Sequence, residues 1–540
     1  MSLAAGTYSL NGAIVFAGSN VTLRGAGADQ TKLVFTSGSG CGNTTSVVCV
    51  GTDGNWSGGP DHSTAWTAGY SQGTTVVTLG SVSGLSVGQV LILDQADDSS
   101  DPGNIYVCGT TSCSSEGQAG GGGRGGNRAQ LQYGLVTNIN GTNVTISPGL
   151  YMPNWRSSQT PGAWWATTLA KSDGIESLML DNRTAGAGSI TVFNNAYKCW
   201  MKGVASVGGG SRSHVDFQYS PNITVRDSYF WGSNGANLSY GIEPWMAGND
   251  LVENNIFQHV TTPMLNGDNE GTVYGYNYTI DSYTNNSSWL YPSAMNHDPG
   301  TAMNLFEGNV MPSAMQDTIH GTHNMETYFR NRLQGIDPAN SQTSQTVPLL
   351  LSSYSRYTNF VGNVLGMSGY HNNYEAAYGT TGSGSCNTSI FNLGWGGTTC
   401  GTGVGDDSIT VTTVMRWGNY DTVNGTVRWA AGENANGAPV YPGLAGPSQT
   451  LPASFYYSAQ PSWWPSGKPW PPIGPDVTGG NISSVGGHAY TIPAEDCYVT
   501  VMGGPVTSGG GVLSFNADAC YSTGAGTPPA PPSNLNAIVQ

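Results

Sequence analysis

The chain has 540 residues, more than one compact core usually organises, so its length allows several globular domains or one elongated repeat. Charged residues make up only 9% and glycine accounts for 79 positions, which excludes a helical bundle and a charge-solvated disordered protein. The net charge of −16, from 33 acidic and 17 basic residues, leaves no basic stripe to neutralise phosphates, so neither nucleic acid nor an anionic membrane is expected as a partner. No apolar run is long enough to span a bilayer.

Met1-Ser2-Leu3 leads straight into strand-like segments at residues 7–10 and 13–16, without a charged and then apolar leader. That start reads as an exported chain whose targeting peptide has been removed. Residues 40–130 follow as a Gly/Ser/Cys-rich excursion containing Gly120 to Gly126, expected to form loops beside the main body. Eight of the nine cysteines fall in close pairs, Cys41/Cys49, Cys108/Cys113, Cys386/Cys400 and Cys497/Cys520. Local pairs stapling loops suit an oxidising compartment, whereas Cys199 in its apolar run reads as a buried free thiol.

From Leu131 to about Tyr420 short segments repeat the pattern apolar, polar, small, Asn, apolar. They begin at Met201, Val225, Val252, Tyr274, Phe306, Phe329 and Phe360, spaced 22 to 32 residues apart. A period near 22 with insertions predicts a parallel β-solenoid in which these segments stack in one sheet, the insertions loop out on one side and the apolar positions line a narrow core. The recurring Asn is expected one residue before the coil bends, where a side chain tolerating left-handed geometry can bond to the next coil. A sandwich would need hairpin signals every 8 to 12 residues and a propeller a regular longer period; neither fits.

Three opening segments, Ala5-Gly6-Thr7-Tyr8-Ser9-Leu10, Val21-Thr22-Leu23-Arg24-Gly25-Ala26-Gly27 and Lys32-Leu33-Val34-Phe35, resemble the first coils of pectate-lyase-like right-handed parallel β-helix proteins. The stretch His214 to Gly335, and Leu451 through Trp463-Trp464 to Asp476, look like a secreted bacterial branch of that superfamily. The resemblance implies an all-β chain, a right-handed parallel β-helix over residues 1–425 with long loop excursions. Composition predicts an extended Pro/Gly/Trp-rich tail over 426–525 that wraps or caps it, and 526–540 resembles a proline linker entering the first strand of a missing, fibronectin-III-like domain. It carries no catalytic residues over, because the Arg-x-Pro-x-x-Arg motif of pectate lyases and the paired Asp and Gly-His-Gly signatures of polygalacturonases are absent.

Nine residues before each anchor the chain reads Asp216, Glu243, Leu265, His297 and His320, with Asp298 one residue later and Asp268 and His323 three later. Stacked at strand spacing, these would form a ladder of titratable groups on one face. Crowded carboxylates repel, which raises one toward the role of an acid while its neighbour stays ionised, and a histidine beside them can relay a proton. Asp216, Glu243 and Asp268 could instead hold Ca²⁺. A second column, directly after the anchors, reads Lys202, Arg226, Glu253, Gly275, Glu307 and Arg330, a surface salt-bridge ladder or the lining of a groove. Trp231, Tyr240, Trp245, Trp289 and Tyr291 lie in loops of the same coils, where aromatic faces suit stacking on sugar rings.

These readings converge on a secreted, monomeric glycoside hydrolase that cleaves a polysaccharide with paired carboxylates and requires no cofactor. Its rivals are a Ca²⁺-dependent polysaccharide lyase and a non-catalytic, glycan-binding adhesion solenoid, since fold alone does not give function. Asp407, in a Gly-rich loop outside the cluster, is expected to tolerate replacement by Asn.

Overall fold

A computed structural model describes residues 1–16, 18–51, 60–98, 105–108, 128–234, 239–286, 288–379, 383–397, 399–401, 403–433 and 448–521. Cys113, the run Gly120 to Gly126 and the segment 526–540 lie outside the described residues.

The chain is all-β and winds through three long sheets, A, B and C, adding one strand to each as it goes. One representative turn runs from Tyr240–Gly248 in sheet C to Leu251–Glu253 in sheet A and Ile256–Gln258 in sheet B, then returns to sheet C at Met264–Glu270. Each strand pairs in parallel with those one turn before and after it, so Val225 lies opposite Val252, Val252 opposite Tyr274 and Tyr274 opposite Phe306. All seven repeat segments share sheet A.

Apolar anchors point inward because the period-two alternation of a strand sends one residue of each three-residue strand to the interior. The rings of Tyr274, Phe306, Tyr328 and Phe360 stack there at 4.8, 4.7 and 4.9 Å between centroids, the spacing of the strands that carry them. The anchor of the sixth segment is therefore Tyr328, not Phe329: Phe306 pairs with Tyr328 and Glu307 with Phe329. Two adjacent aromatics could each fill the site, and Tyr328 occupies it because only that register keeps Asn331 level with Asn309 and Asn363.

Those asparagines form an interior ladder. The side-chain amides of Asn255, Asn277, Asn309, Asn331 and Asn363 each donate to the side-chain carbonyl of the next, ending at Asn419, over 2.9 to 3.1 Å. Each rung also donates to a backbone carbonyl one coil back, as Asn309 does to Tyr274 at 2.8 Å. The expected bond to the next coil is present, but the left-handed residue is the one before the ladder Asn. Asn254, Tyr276, Gly308, Arg330, Gly362 and Gly418 have φ of 54°, 56°, 69°, 53°, 66° and 66°. Turning the backbone one residue early points the Asn side chain inward, where both ends of its amide find partners.

The stretch expected to be loops is largely folded. His62–Ala68, Val76–Leu79, Val90–Gln95, Gln130–Asn140, Asn143–Ser147 and Gly162–Trp165 close into a six-stranded barrel with its own core around Trp66, Leu93, Val136 and Trp165. Leu131 thus belongs to this barrel, and parallel pairing resumes at Ala170–Lys171. Tyr133 and Trp164 of the barrel pack on Tyr219, Trp245 and Met246 of sheet C.

Residues 448–521 lie on sheets A and B, and the second column meets them. Glu307 accepts from the Ser454 hydroxyl and the Phe455 N–H, Glu253 accepts from the Tyr457 hydroxyl, and Trp470 donates to the Tyr276 hydroxyl at 3.0 Å. Buried Arg330 forks onto Asp476 at 2.6 and 2.9 Å and donates to the carbonyls of Ile473 and Pro452. Glu253, Glu307 and Arg330 are thus buried beneath this segment, and Arg330 is a clamp for it rather than a substrate ligand.

Disulfides join Cys41 to Cys49, Cys386 to Cys400 and Cys497 to Cys520; Cys108 is disulfide-bonded and Cys199 is free and buried. Among the described residues no helix is long and apolar enough to cross a membrane.

Two substitutions test this framework. Asn309→Ala removes the acceptor of two Asn277 donors, each costing about 1–3 kcal/mol when left unpaired in the interior, so a clear drop in the urea midpoint is expected. Asp407 accepts from Ile409 N–H and Thr410 N–H at the start of the helix Ser408–Thr413 and bonds buried Arg356 at 2.8 and 3.2 Å. It is not a tolerant control: Asp407→Asn leaves a buried guanidinium short of its counter-charge, and a loss of about 3 kcal/mol is expected in the same assay.

Candidate functional site

The outward face of sheet C, where neither the barrel nor the C-terminal segment lies, carries the titratable cluster. Asp216 and Glu243 pair directly across neighbouring strands. The regular column then breaks, because Met295 follows Leu265 and Met315 follows Met295. A register shift after Asn266 places Asp298 opposite Gly267 and pushes His297 out of the pairing. Counting a fixed nine residues back from each anchor could not register this bulge.

Gly267 makes the cluster possible. A Cβ there would lie 2.7 Å from Asp298 Oδ2 and 3.0 Å from Trp245 Cδ1, so the Asp298 carboxylate occupies the space of the missing side chain. It thereby leans across the Gly267 rung toward Glu243. Arg212, which directly precedes the strand Ser213–Gln218, forks onto both oxygens of Glu243, through Nε at 2.8 Å and through Nη2. Burial, with Asp216 and Asp298 beside it, raises Glu243 to about 8, and the Arg212 guanidinium pulls against that rise by favouring the ionised form. The guanidinium lies 5.8 Å from the ring of Tyr240, which is buried beside Met295 and Met315.

Burial lifts Asp298 to about 6, although His297 and Arg212 pull it down. It lifts Asp216 likewise to about 6 against the same guanidinium and a bond from the Gln218 amide at 2.7 Å. His297 Nδ1 lies 2.6 Å from Asp317 Oδ2, and since a carboxylate only accepts, Nδ1 carries the proton. Burial opposes a charge on this imidazole, but Asp317, Asp298 and Glu243 outweigh it and raise it to about 9. His320, half-buried, meets His297 edge-on at 4.5 Å between ring centroids. His323 lies behind them, wholly buried, and burial lowers it to about 4.

Beside this cluster opens a groove of about 400 Å³ lined by Trp289, Tyr291, Met295, Met315, Asp317 and Ile319. Trp289 and Tyr291 are partly exposed, with ring centroids 6.4 Å apart. Sheet C and the loops beside it thus bring together Asp216, Glu243, His297, Asp298, His320, Trp289 and Tyr291, whereas Tyr240, expected in a loop, is a buried strand residue with no face free for a sugar.

The other candidates stand elsewhere. Asp268, at φ 54°, lies at the junction with the barrel, near Gly300 and with its charge acting on Tyr133 and Tyr219. Asp216, Glu243 and Asp268 therefore do not converge as a Ca²⁺ set, and Glu243 is occupied by Arg212. Trp245 is buried against Tyr219 under the barrel, and Trp231 packs on sheet B, donating to the Gly510 carbonyl at 3.2 Å. Neither offers a face to the groove. Arg212, Gly267 and Asp317 are the participants that sequence reasoning left out of the site. An arginine embedded in Gly-Gly-Gly-Ser-Arg-Ser, in a chain with 17 basic residues, was the available signal.

No family model and no curated protein matches this chain. Among solved structures it is similar to the tailspike gp61 of Pseudomonas phage phi297, at 12% identity and TM-score 0.44, covering 67% of this chain and 54% of that one. It is also similar to the tailspike gp49 of Pseudomonas phage LKA1, at 12% identity and TM-score 0.40 over 70% and 64%. A third similarity is to the Gp54 tailspike of Acinetobacter baumannii bacteriophage AP22, solved with a capsular saccharide, at 10% identity and TM-score 0.35 over 78% and 71%. The chain spans about half the length of the first of these.

Gly267→Ala tests the geometry directly. The variant is expected to fold with a loss of about 1–3 kcal/mol, because the new Cβ crowds buried Trp245 and the buried Asp298 carboxylate, while its crystal structure shows that carboxylate displaced from the rung.

Proposed function

We propose that this chain is a secreted polysaccharide-degrading enzyme of the pectate-lyase-like superfamily, wound as a right-handed parallel β-helix, that hydrolyses a glycan lying in the Trp289–Tyr291 groove. The observation that carries the reading is the meeting of two unlike carboxylates beside an aromatic-lined groove. Both carboxyls are raised by burial, Glu243 to about 8 and Asp298 to about 6, and the roles are assigned on contacts: the Arg212 fork favours the anion on Glu243, while Asp298 has no such fork and lies in the range in which a carboxyl delivers a proton. In this reading Asp298 protonates the departing glycosidic oxygen. Glu243 supplies the negative charge that stabilises the cationic sugar or activates its attacker. Trp289 and Tyr291 stack on the sugar faces.

A lyase acting on uronates must neutralise a carboxylate with a cation. Arg212 is already committed to Glu243, and the proposed Ca²⁺ set does not converge, so hydrolysis is preferred. Binding without cleavage is the second reading, favoured by the exposure of Glu243 and Asp298 at only 0% and 2%.

A screen of neutral and acidic polysaccharides, read for reducing ends and for ultraviolet absorbance of unsaturated products, separates these readings. Reducing ends alone are expected. Retention on an insoluble glycan with no product would establish binding only. On the cleaved substrate, Glu243→Gln and Asp298→Asn should each lower turnover by about 10²-fold or more with folding retained. The acid must be protonated to act, so turnover should fall as pH rises through about 6, the value to which Asp298 is raised. Full activity in both variants would place the chemistry elsewhere.

A further inference from the structure

We propose that His297, Asp298 and His320 form a binding site for one divalent transition-metal ion at the edge of the groove. Each offers one ligand atom, and these atoms lie within 4.8 Å of one another. Donors bound to a single Zn²⁺ at 2.0–2.2 Å stand roughly 3.3 Å apart in tetrahedral geometry, so the set closes on an ion with a modest rotation of half-buried His320. Two imidazole nitrogens and one carboxylate oxygen are the donor chemistry of zinc and its first-row neighbours rather than of Ca²⁺ or Mg²⁺, which take oxygen ligands.

The surroundings are those of a ligand set. Asp317 holds the Nδ1–H of His297 at 2.6 Å and fixes the plane of the ring, so the ion takes Nε2, whose proton passes to solvent as the metal binds. The second Asp317 oxygen accepts from the Ile319 N–H at 2.9 Å, so the carboxylate that orients the histidine is itself anchored. Asp298 is steered to the same point by the space above Gly267. Three protein ligands leave a fourth position open, and Asp317 also lines the groove, so that position lies beside the bound glycan.

The metal site stands on this geometry and not on cleavage; only its effect on turnover rests on the hydrolytic reading. An ion held there occupies the Asp298 oxygen that would carry the proton, so zinc is expected to inhibit. The test is calorimetric titration of the full chain with Zn²⁺, together with the visible spectrum after addition of Co²⁺. One ion per chain and the bands of a four-coordinate cobalt site are expected for the unaltered protein. His320→Ala and Asp298→Asn should each weaken zinc binding by roughly ten-fold or more and abolish those bands. His259→Ala, at a histidine paired with Asp281 on sheet B, should leave both unchanged. No saturable uptake by the unaltered chain, or equal uptake by His320→Ala and Asp298→Asn, would overturn the site. Loss of polysaccharide cleavage in every assay would sink the hydrolytic reading while leaving the titration decisive.

Discussion

Short strands of three residues cannot hold a register alone, because each contributes few backbone bonds and its apolar anchor would fit a neighbouring rung nearly as well. The ladder from Asn255 to Asn419 supplies what the strands lack. An asparagine shifted by one residue would lose its side-chain bonds on both sides and leave buried amides without partners. The ladder therefore fixes how each turn sits on the one below. The stacked rings of Tyr274, Phe306, Tyr328 and Phe360 follow from that alignment, and so does the facing of every outward residue. The groove and its carboxylates inherit their positions from an amide network in the interior.

What remains open for chemistry is decided by what is covered. The barrel occupies one stretch of sheet C through Tyr133 and Trp164, and the segment 448–521 occupies sheets A and B through Asp476, Ser454 and Tyr457. Under the tail, Glu253, Glu307 and Arg330 find partners in it, whereas at the barrel junction Glu270 is buried with neither carboxylate oxygen hydrogen-bonded. The cluster around Glu243 and Asp298 differs from both in lying beside an apolar groove, with more acids than the single guanidinium of Arg212 can match. Uneven charge of this kind marks a functional site more often than a structural one.

The winding was legible because it is written as periodicity, with anchors and asparagines at fixed offsets across many turns. Reading Phe329 for Tyr328 shows the limit: the apolar pattern alone was ambiguous there, although the constant offset from anchor to Asn held the answer. The barrel escaped because its strands alternate between glycine-rich loops and pair with partners far along the chain. At the site, Asp216, Glu243, His297, Asp298 and His320 could be named from their concentration in a charge-poor sequence. Asp268 and Trp245 could not be told from them, because only the bulge at Gly267 and the seat of the barrel decide which way they face. Contacts between a helix start and a distant strand, such as Asp407 with Arg356, leave no periodic trace at all.

The clamp formed by Arg330 and Asp476 joins a middle turn to a segment about 146 positions later. During synthesis the sheets can assemble from the amino end while that segment is still within or near the ribosome. Until it emerges, Glu253, Glu307 and Arg330 face solvent as an uncovered mixed-charge strip, well hydrated and unattractive to the strand edges of other nascent chains. Seating residues 448–521 then converts the strip into a paired seam, so two of the three faces close only once that segment has been made.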